Sequence, residues 1–167
     1  MTRALLLDRD GTLIVDVGYP RDPARVEPLP GAIDALRALQ SRFALVIVSN
    51  QSGLARGLIS AAEAAAVHAR VVERFGQAGV TFAGAYYCPH APDAGCRCRK
   101  PAPGLLLDAA RDLGLDLAAS TMLGDKPSDL AAGRAAGCRT LAFGPATGAP
   151  HHCADWPAVT AALRATE

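Results

Sequence analysis

Five short apolar runs, separated by stretches with helical periodicity, restrict this chain to one kind of architecture. The runs are Ala4–Leu7, Ala44–Val48, Ala85–Tyr87, Thr121–Leu123 and Arg139–Ala142. They are apolar along their length rather than alternating, as expected for strands buried on both faces. Between them lie helix patterns. Ile33, Leu36 and Leu39 share a face of 32–40. Ser60 and Glu63 form a capping box ahead of Val67, Val71 and Phe75. Pro103 opens a helix that Gly114 closes, another runs from Pro127 to Ala136 before Gly137, and a last one covers Asp155–Ala165. Strands that alternate with helices give a parallel sheet with helices on both faces. The expectation is one three-layer α/β domain over residues 1–167.

Ligands of such sheets bind beyond the carboxyl ends of the strands. That rule brings Asp8, Ser49, the segment from Cys88 and Asp125 to one rim. Asp8-Arg-Asp10-Gly11-Thr12 directly follows the first strand, and Gly11 permits a turn that lets both acids serve one site. One carboxylate can attack phosphorus to form an aspartyl-phosphate. The other can protonate the leaving oxygen and then take a proton from water. Ser49 ends the second strand with a hydroxyl suited to a phosphoryl oxygen, and Lys100 can neutralise the same oxygens. Asp125 in Gly124-Asp-Lys-Pro-Ser-Asp129 suits Mg²⁺, which prefers oxygen ligands.

The segment Cys88-Pro-His90-Ala-Pro-Asp-Ala-Gly-Cys96-Arg-Cys98 carries three thiols and one imidazole, spaced C-x-H-x5-C-x-C. That set closes a tetrahedral zinc site with no open position, so the metal is structural and staples a glycine- and proline-rich loop. Cys138 and Cys153 read as ordinary residues. An odd total of five cysteines argues against a disulfide framework.

The DxDGT, Ser-Asn, Lys and GDxxxD series resembles the four motifs of the haloacid dehalogenase superfamily of phosphatases, across nearly the whole chain. The loop of the form CPH…CxCRKP is similar to that of the D-glycero-D-manno-heptose-1,7-bisphosphate 7-phosphatase family and of its relative, the histidinol-phosphate phosphatases. Ser49-Asn-Gln-Ser-Gly-Leu-Ala-Arg-Gly57 and Asp16-Val-Gly-Tyr19 resemble the heptose version. The resemblance implies a Rossmann-like haloacid dehalogenase fold. It also implies Asp8 as nucleophile, Asp10 as general acid/base, and Ser49 and Lys100 as the phosphoryl clamp. Mg²⁺ is then held by Asp8, the backbone carbonyl of Asp10, and Asp125. Asp129 orients Lys126 or a metal-bound water. Asp16, Gly18, Tyr19, Asn50, Gln51, Ser52, Arg99 and Lys126 fall to substrate binding, with Arg99 on the part of the substrate that does not react. The resemblance implies a Mg²⁺-dependent phosphatase that removes the 7-phosphate of D-glycero-D-manno-heptose 1,7-bisphosphate, with histidinol phosphate as the alternative substrate.

Only about twenty residues separate Asp10 from Gly31, and the zinc loop is short, so no separate cap domain is expected. Specificity then rests with loops 16–22, 50–57 and 88–100 around an open site. A net charge of +1 and the lack of an aromatic platform argue against a nucleic-acid module built on Arg97, Arg99 and Lys100. No G-x-x-x-x-G-K-[ST] loop is present, which excludes a P-loop kinase. The N-terminus meets an acid at Asp8 and no apolar run reaches spanning length, so the expected setting is the cytoplasm. The expected form is a monomer with Mg²⁺ and Zn²⁺, a small sugar-phosphate substrate, and no nucleic-acid or membrane partner.

Overall fold

The computed structural model describes residues 1–145 and 149–165. Six parallel strands form one sheet: β1 (Ala4–Leu7), β2 (Ala44–Asn50), β3 (Gly84–Cys88), β4 (Thr121–Gly124), β5 (Arg139–Phe143) and β6 (His152–Cys153), in the order β3-β2-β1-β4-β5-β6. The helices are α1 (Ala32–Leu39), α2 (Ala61–Gly76), α3 (Gly104–Leu113), α4 (Pro127–Ala135) and α5 (Trp156–Arg164). The five expected strands and five expected helices are all present. The two-residue β6 and a 3-10 turn at Pro23–Arg25 have no counterpart in the apolar pattern, being too short to show a period.

Side-chain alternation along the central strands builds the layers. Leu5, Leu7, Leu45 and Ile47 point to the face covered by α1, α2 and α5, where they meet Leu36, Val71, Phe75 and Trp156. Ala4, Leu6, Val46 and Val48 point the other way, to Leu105, Leu106 and Ala109 of α3 and Ala132 of α4. Both faces are dry, which is why these strands read as unbroken apolar runs.

The parallel register aligns the strand ends. Leu7 lies opposite Ile47 and Leu123, and Asn50 lies opposite Cys88. The Asp8 N–H still donates to the Leu123 carbonyl at 3.0 Å, so β1 delivers its first acid to the rim at the level of β4. Gly11, at φ 84°, makes the turn beyond it; a Cβ there would come within 2.5 Å of an Asp125 carboxylate oxygen. The Trp156 indole N–H donates to the Thr12 carbonyl at 3.0 Å and anchors that turn to α5. Residues 15–28 fold back as a loop, with Val15 N–H donating to the Glu27 carbonyl, and build no cap domain. Among the described residues no helix is long and apolar enough to cross a membrane.

Leu6 is fully buried between α3 and α4. Leu6→Ala is expected to lower unfolding stability by about 3 kcal/mol, since it removes apolar contact and leaves a cavity. Urea-induced unfolding of the two proteins measures the difference.

Candidate active site

Lys100 is the centre of the rim. Its side chain is buried, and its three ammonium protons have three acceptors: Asp8 Oδ1 at 2.8 Å, the Val48 carbonyl at 2.7 Å and Asp129 Oδ1 at 2.6 Å. Burial by itself would lower the pKa of this amine, but the facing charges of Asp8 and Asp129 outweigh it and raise it. Lys100 therefore stays a cation. The second oxygen of Asp129 accepts the Lys126 N–H at 3.0 Å and caps α4. Asp129 thus holds Lys126, as expected, though through the backbone N–H, and it also bonds the Lys100 ammonium, a contact the sequence did not suggest.

Asp125 has no such partner. Its contact with the Thr12 hydroxyl is long, at 3.4 Å. Carboxylate oxygens of Asp8, Asp125 and Asp129 lie within 4.8 Å of one another. Burial, with Asp8 adding to it, pushes the Asp125 carboxyl up to about 7. Three acids face one buried ammonium, and the exposed Lys126 adds a second cation nearby. A hard divalent cation with oxygen ligands fits this excess of negative charge. Asp8, Asp125 and Asp129 could each offer it an oxygen, and Asp125 carries the least competition from the Lys100 ammonium.

Asp10 is held by a different set of partners. Arg9 grips it with Nε on Oδ1 and Nη2 on Oδ2, both at 3.1 Å. The Gln51 amide nitrogen donates to Asp10 Oδ2 at 2.8 Å and to Ser49 Oγ at 2.9 Å, joining the candidate acid to the candidate phosphoryl clamp. Thr12 entered the sequence reading only as the end of the DxDGT motif, and Arg9 did not stand out at all. An arginine between two acids looks like a solvated charge, and only its position in line with the buried Leu5 and Leu7 hints that it points inward.

Cys88, His90, Cys96 and Cys98 converge. Sulfur–sulfur distances are 3.6, 3.3 and 3.5 Å, and His90 Nδ1 lies 3.5 and 3.2 Å from the Cys88 and Cys98 sulfurs. Sulfurs bound to one tetrahedral zinc stand ~3.8 Å apart. The cluster needs only a slight expansion to accept that ion, and all its cysteines are free. The loop is tied to the rim at several points. The Gln51 N–H donates to the Cys88 carbonyl at 2.7 Å. The Asn50 amide bonds the Lys100 backbone in both directions, at 3.0 Å each. Gly104, the first residue of α3, donates its N–H to the Arg97 carbonyl at 3.0 Å, and a Cβ there would overlap that carbonyl.

Above these groups lies an open cleft of about 580 Å³. Asp16, Gly18, Tyr19, Asn50, Gln51, Ser52, Arg99 and Lys126 all line it, together with Asp10 and Lys100. Asp16 also accepts the Gly18 N–H at 2.8 Å and stands 3.8 Å from the Lys126 ammonium, which links the two sides of the cleft.

The raised Asp125 gives a signed pH prediction. Its folded pKa of about 7 lies above its ordinary value of 3.8. Ionising it in the folded state therefore costs stability progressively as pH rises from about 4 to 7. A bound divalent cation removes that cost. Mg²⁺ is expected to raise the melting temperature more at pH 8 than at pH 5, where a proton must first be displaced. Thermal melts with and without Mg²⁺ at both pH values measure this; equal shifts would contradict it.

Residues 97–161 match a family model described as HAD-hydrolase-like. The D-glycero-beta-D-manno-heptose-1,7-bisphosphate 7-phosphatase of Yersinia pestis is 41% identical over 165 residues, covering 92% of this chain and 88% of that protein. The enzyme of the same name from Escherichia coli K12 is also 41% identical, covering 92% and 86%. The crystal structure of D,D-heptose 1,7-bisphosphate phosphatase from B. bronchiseptica, complexed with magnesium and phosphate, superposes with a TM-score of 0.89 at 34% identity and covers 99% of both chains. That of a HAD-like phosphatase from Mesorhizobium loti gives 0.84 at 35% identity, covering 98% of this chain and 85% of that one. By sequence and by fold, this chain belongs to the heptose-bisphosphate phosphatase family of haloacid dehalogenase-like hydrolases.

Proposed function

We propose that the chain removes the 7-phosphate of D-glycero-β-D-manno-heptose 1,7-bisphosphate through an aspartyl-phosphate on Asp8. The observation that supports it most directly is the buried Asp8–Lys100–Asp129 cluster beside Asp125, beneath a cleft edged by cationic side chains. Asp8 has Oδ1 on Lys100 and attacks phosphorus through its other oxygen. Asp10 gives a proton to the departing sugar oxygen and then takes one from the water that attacks the phosphoryl group. That second attack releases phosphate and regenerates Asp8. Ser49 and Lys100 hold the phosphoryl oxygens during transfer. Asp8, Asp125 and the Asp10 carbonyl would hold Mg²⁺, which would offset charge between the anionic nucleophile and the anionic phosphate. Arg99 and Lys126, on the cleft wall, take the phosphate that stays.

Zn²⁺ at Cys88, His90, Cys96 and Cys98 has a structural part in this reading, because the loop it closes carries Arg99 and Lys100. One cytoplasmic, monomeric domain completes the proposal. It draws support from the free thiols, which suit a reducing compartment.

Phosphate release from the α and β heptose 1,7-bisphosphates and from histidinol phosphate, run side by side with Mg²⁺, is expected to favour the β anomer. Preference for histidinol phosphate would overturn the substrate assignment. Asp8→Asn is expected to reduce turnover to background in the same assay. Removing zinc with a chelator, then restoring Mg²⁺, is expected to lower both activity and melting temperature as Lys100 loses its support. Full activity in zinc-free protein, verified by metal analysis, would contradict the structural role.

A further inference from the structure

Arg9 is a cation under the sheet rim with almost no water. It is 2% exposed and Asp10 is 8% exposed. In place of solvent it has two companions. One is the Asp10 carboxylate, gripped through Nε and Nη2. The other is the Tyr87 ring, whose centroid lies 5.4 Å from Cζ. Tyr87 is itself braced by His68 of α2: its hydroxyl and His68 Nδ1 are 2.7 Å apart, and the two rings meet edge to face. A buried ion pair adds little net stability, and an apolar side chain of similar volume would serve α2 as well. What the pair does supply is geometry, because a planar guanidinium fork fixes the plane of the carboxylate it holds.

A carboxylate offers about four in-plane acceptor positions. On Asp10, Arg9 takes one on each oxygen, and Gln51 takes the second on Oδ2. The position left is on Oδ1. We propose that Arg9, seated on Tyr87, is the positioning residue for Asp10, and that with Gln51 it directs proton transfer to and from the leaving oxygen through Asp10 Oδ1. This rests on the reading of Asp10 as the general acid.

The test compares kcat/KM, which reports formation of the phosphoenzyme, for two substrates. A heptose bisphosphate has an alkoxide leaving group that needs a proton; p-nitrophenyl phosphate has one that departs without it. Arg9→Met is expected to lose ~10²-fold with the sugar phosphate and less than about 5-fold with the aryl phosphate. Arg9→Lys, which keeps the charge without the fork, should recover part of the loss. Equal losses on both substrates would mean that Arg9 only supports the fold, and no loss would mean that it does not position Asp10; either overturns the proposal. If circular dichroism shows that Arg9→Met does not fold, Tyr87→Leu takes its place, with the same selective loss expected at roughly 10-fold. Asp10→Asn is run alongside. If it too fails to discriminate the substrates, the acid assignment falls and the Arg9 role with it. If it discriminates and the Arg9 and Tyr87 variants do not, only the positioning role falls.

Discussion

The rim depends on one buried ammonium. Lys100 joins the end of β1 through Asp8, the end of β2 through the Val48 carbonyl, and the start of α4 through Asp129. Each of these would carry an unsatisfied charge or dipole without it. Taking one partner from a buried ion pair costs ~3–5 kcal/mol, because the other is left charged and dry. Here two carboxylates would be left facing each other. The same contacts hold Asp8 and Asp129 beside Asp125, so that three carboxylates gather at one point of the rim.

Lys100 comes from outside the sheet, on the loop that leaves β3, and that loop has little apolar surface of its own. Its hold on the rim is polar: the two-way bond from Asn50, the Gln51 N–H on the Cys88 carbonyl, and the convergence of three thiols and an imidazole. The close approach of Gly104 to Arg97 then starts α3 without a gap. Cofactor binding, loop order and catalytic charge thus form one chain of dependence. Only two residues, Arg99 and Lys100, separate the cysteine cluster from Asp8.

The layers were legible in the sequence because burial on both faces leaves an unbroken apolar run, and because turns and caps such as Ser60–Glu63 are local. The parallel rule then placed Asp8, Ser49, Cys88 and Asp125 at one edge without any knowledge of distances. Partner choice was not legible. Nothing in the spelling of Gly124-Asp125-Lys126-Pro-Ser-Asp129 says that Asp129 bonds the ammonium of a lysine 29 positions upstream and only the backbone N–H of its neighbour Lys126. Arg9 was equally silent, since its charge suggests solvent and only the pleat of β1 turns it inward. The short β6 was missed because two residues carry no period, and it forms only because β5 offers a free edge.

The most direct test of this account is acid-quenched, single-turnover mass spectrometry with the heptose bisphosphate and Mg²⁺, on the native protein and on Lys100→Met. The account predicts a phosphoryl group on the peptide bearing Asp8 in the native protein and none in the variant. Turnover with no phosphoryl group on Asp8, or its formation at the native rate in Lys100→Met, would contradict it.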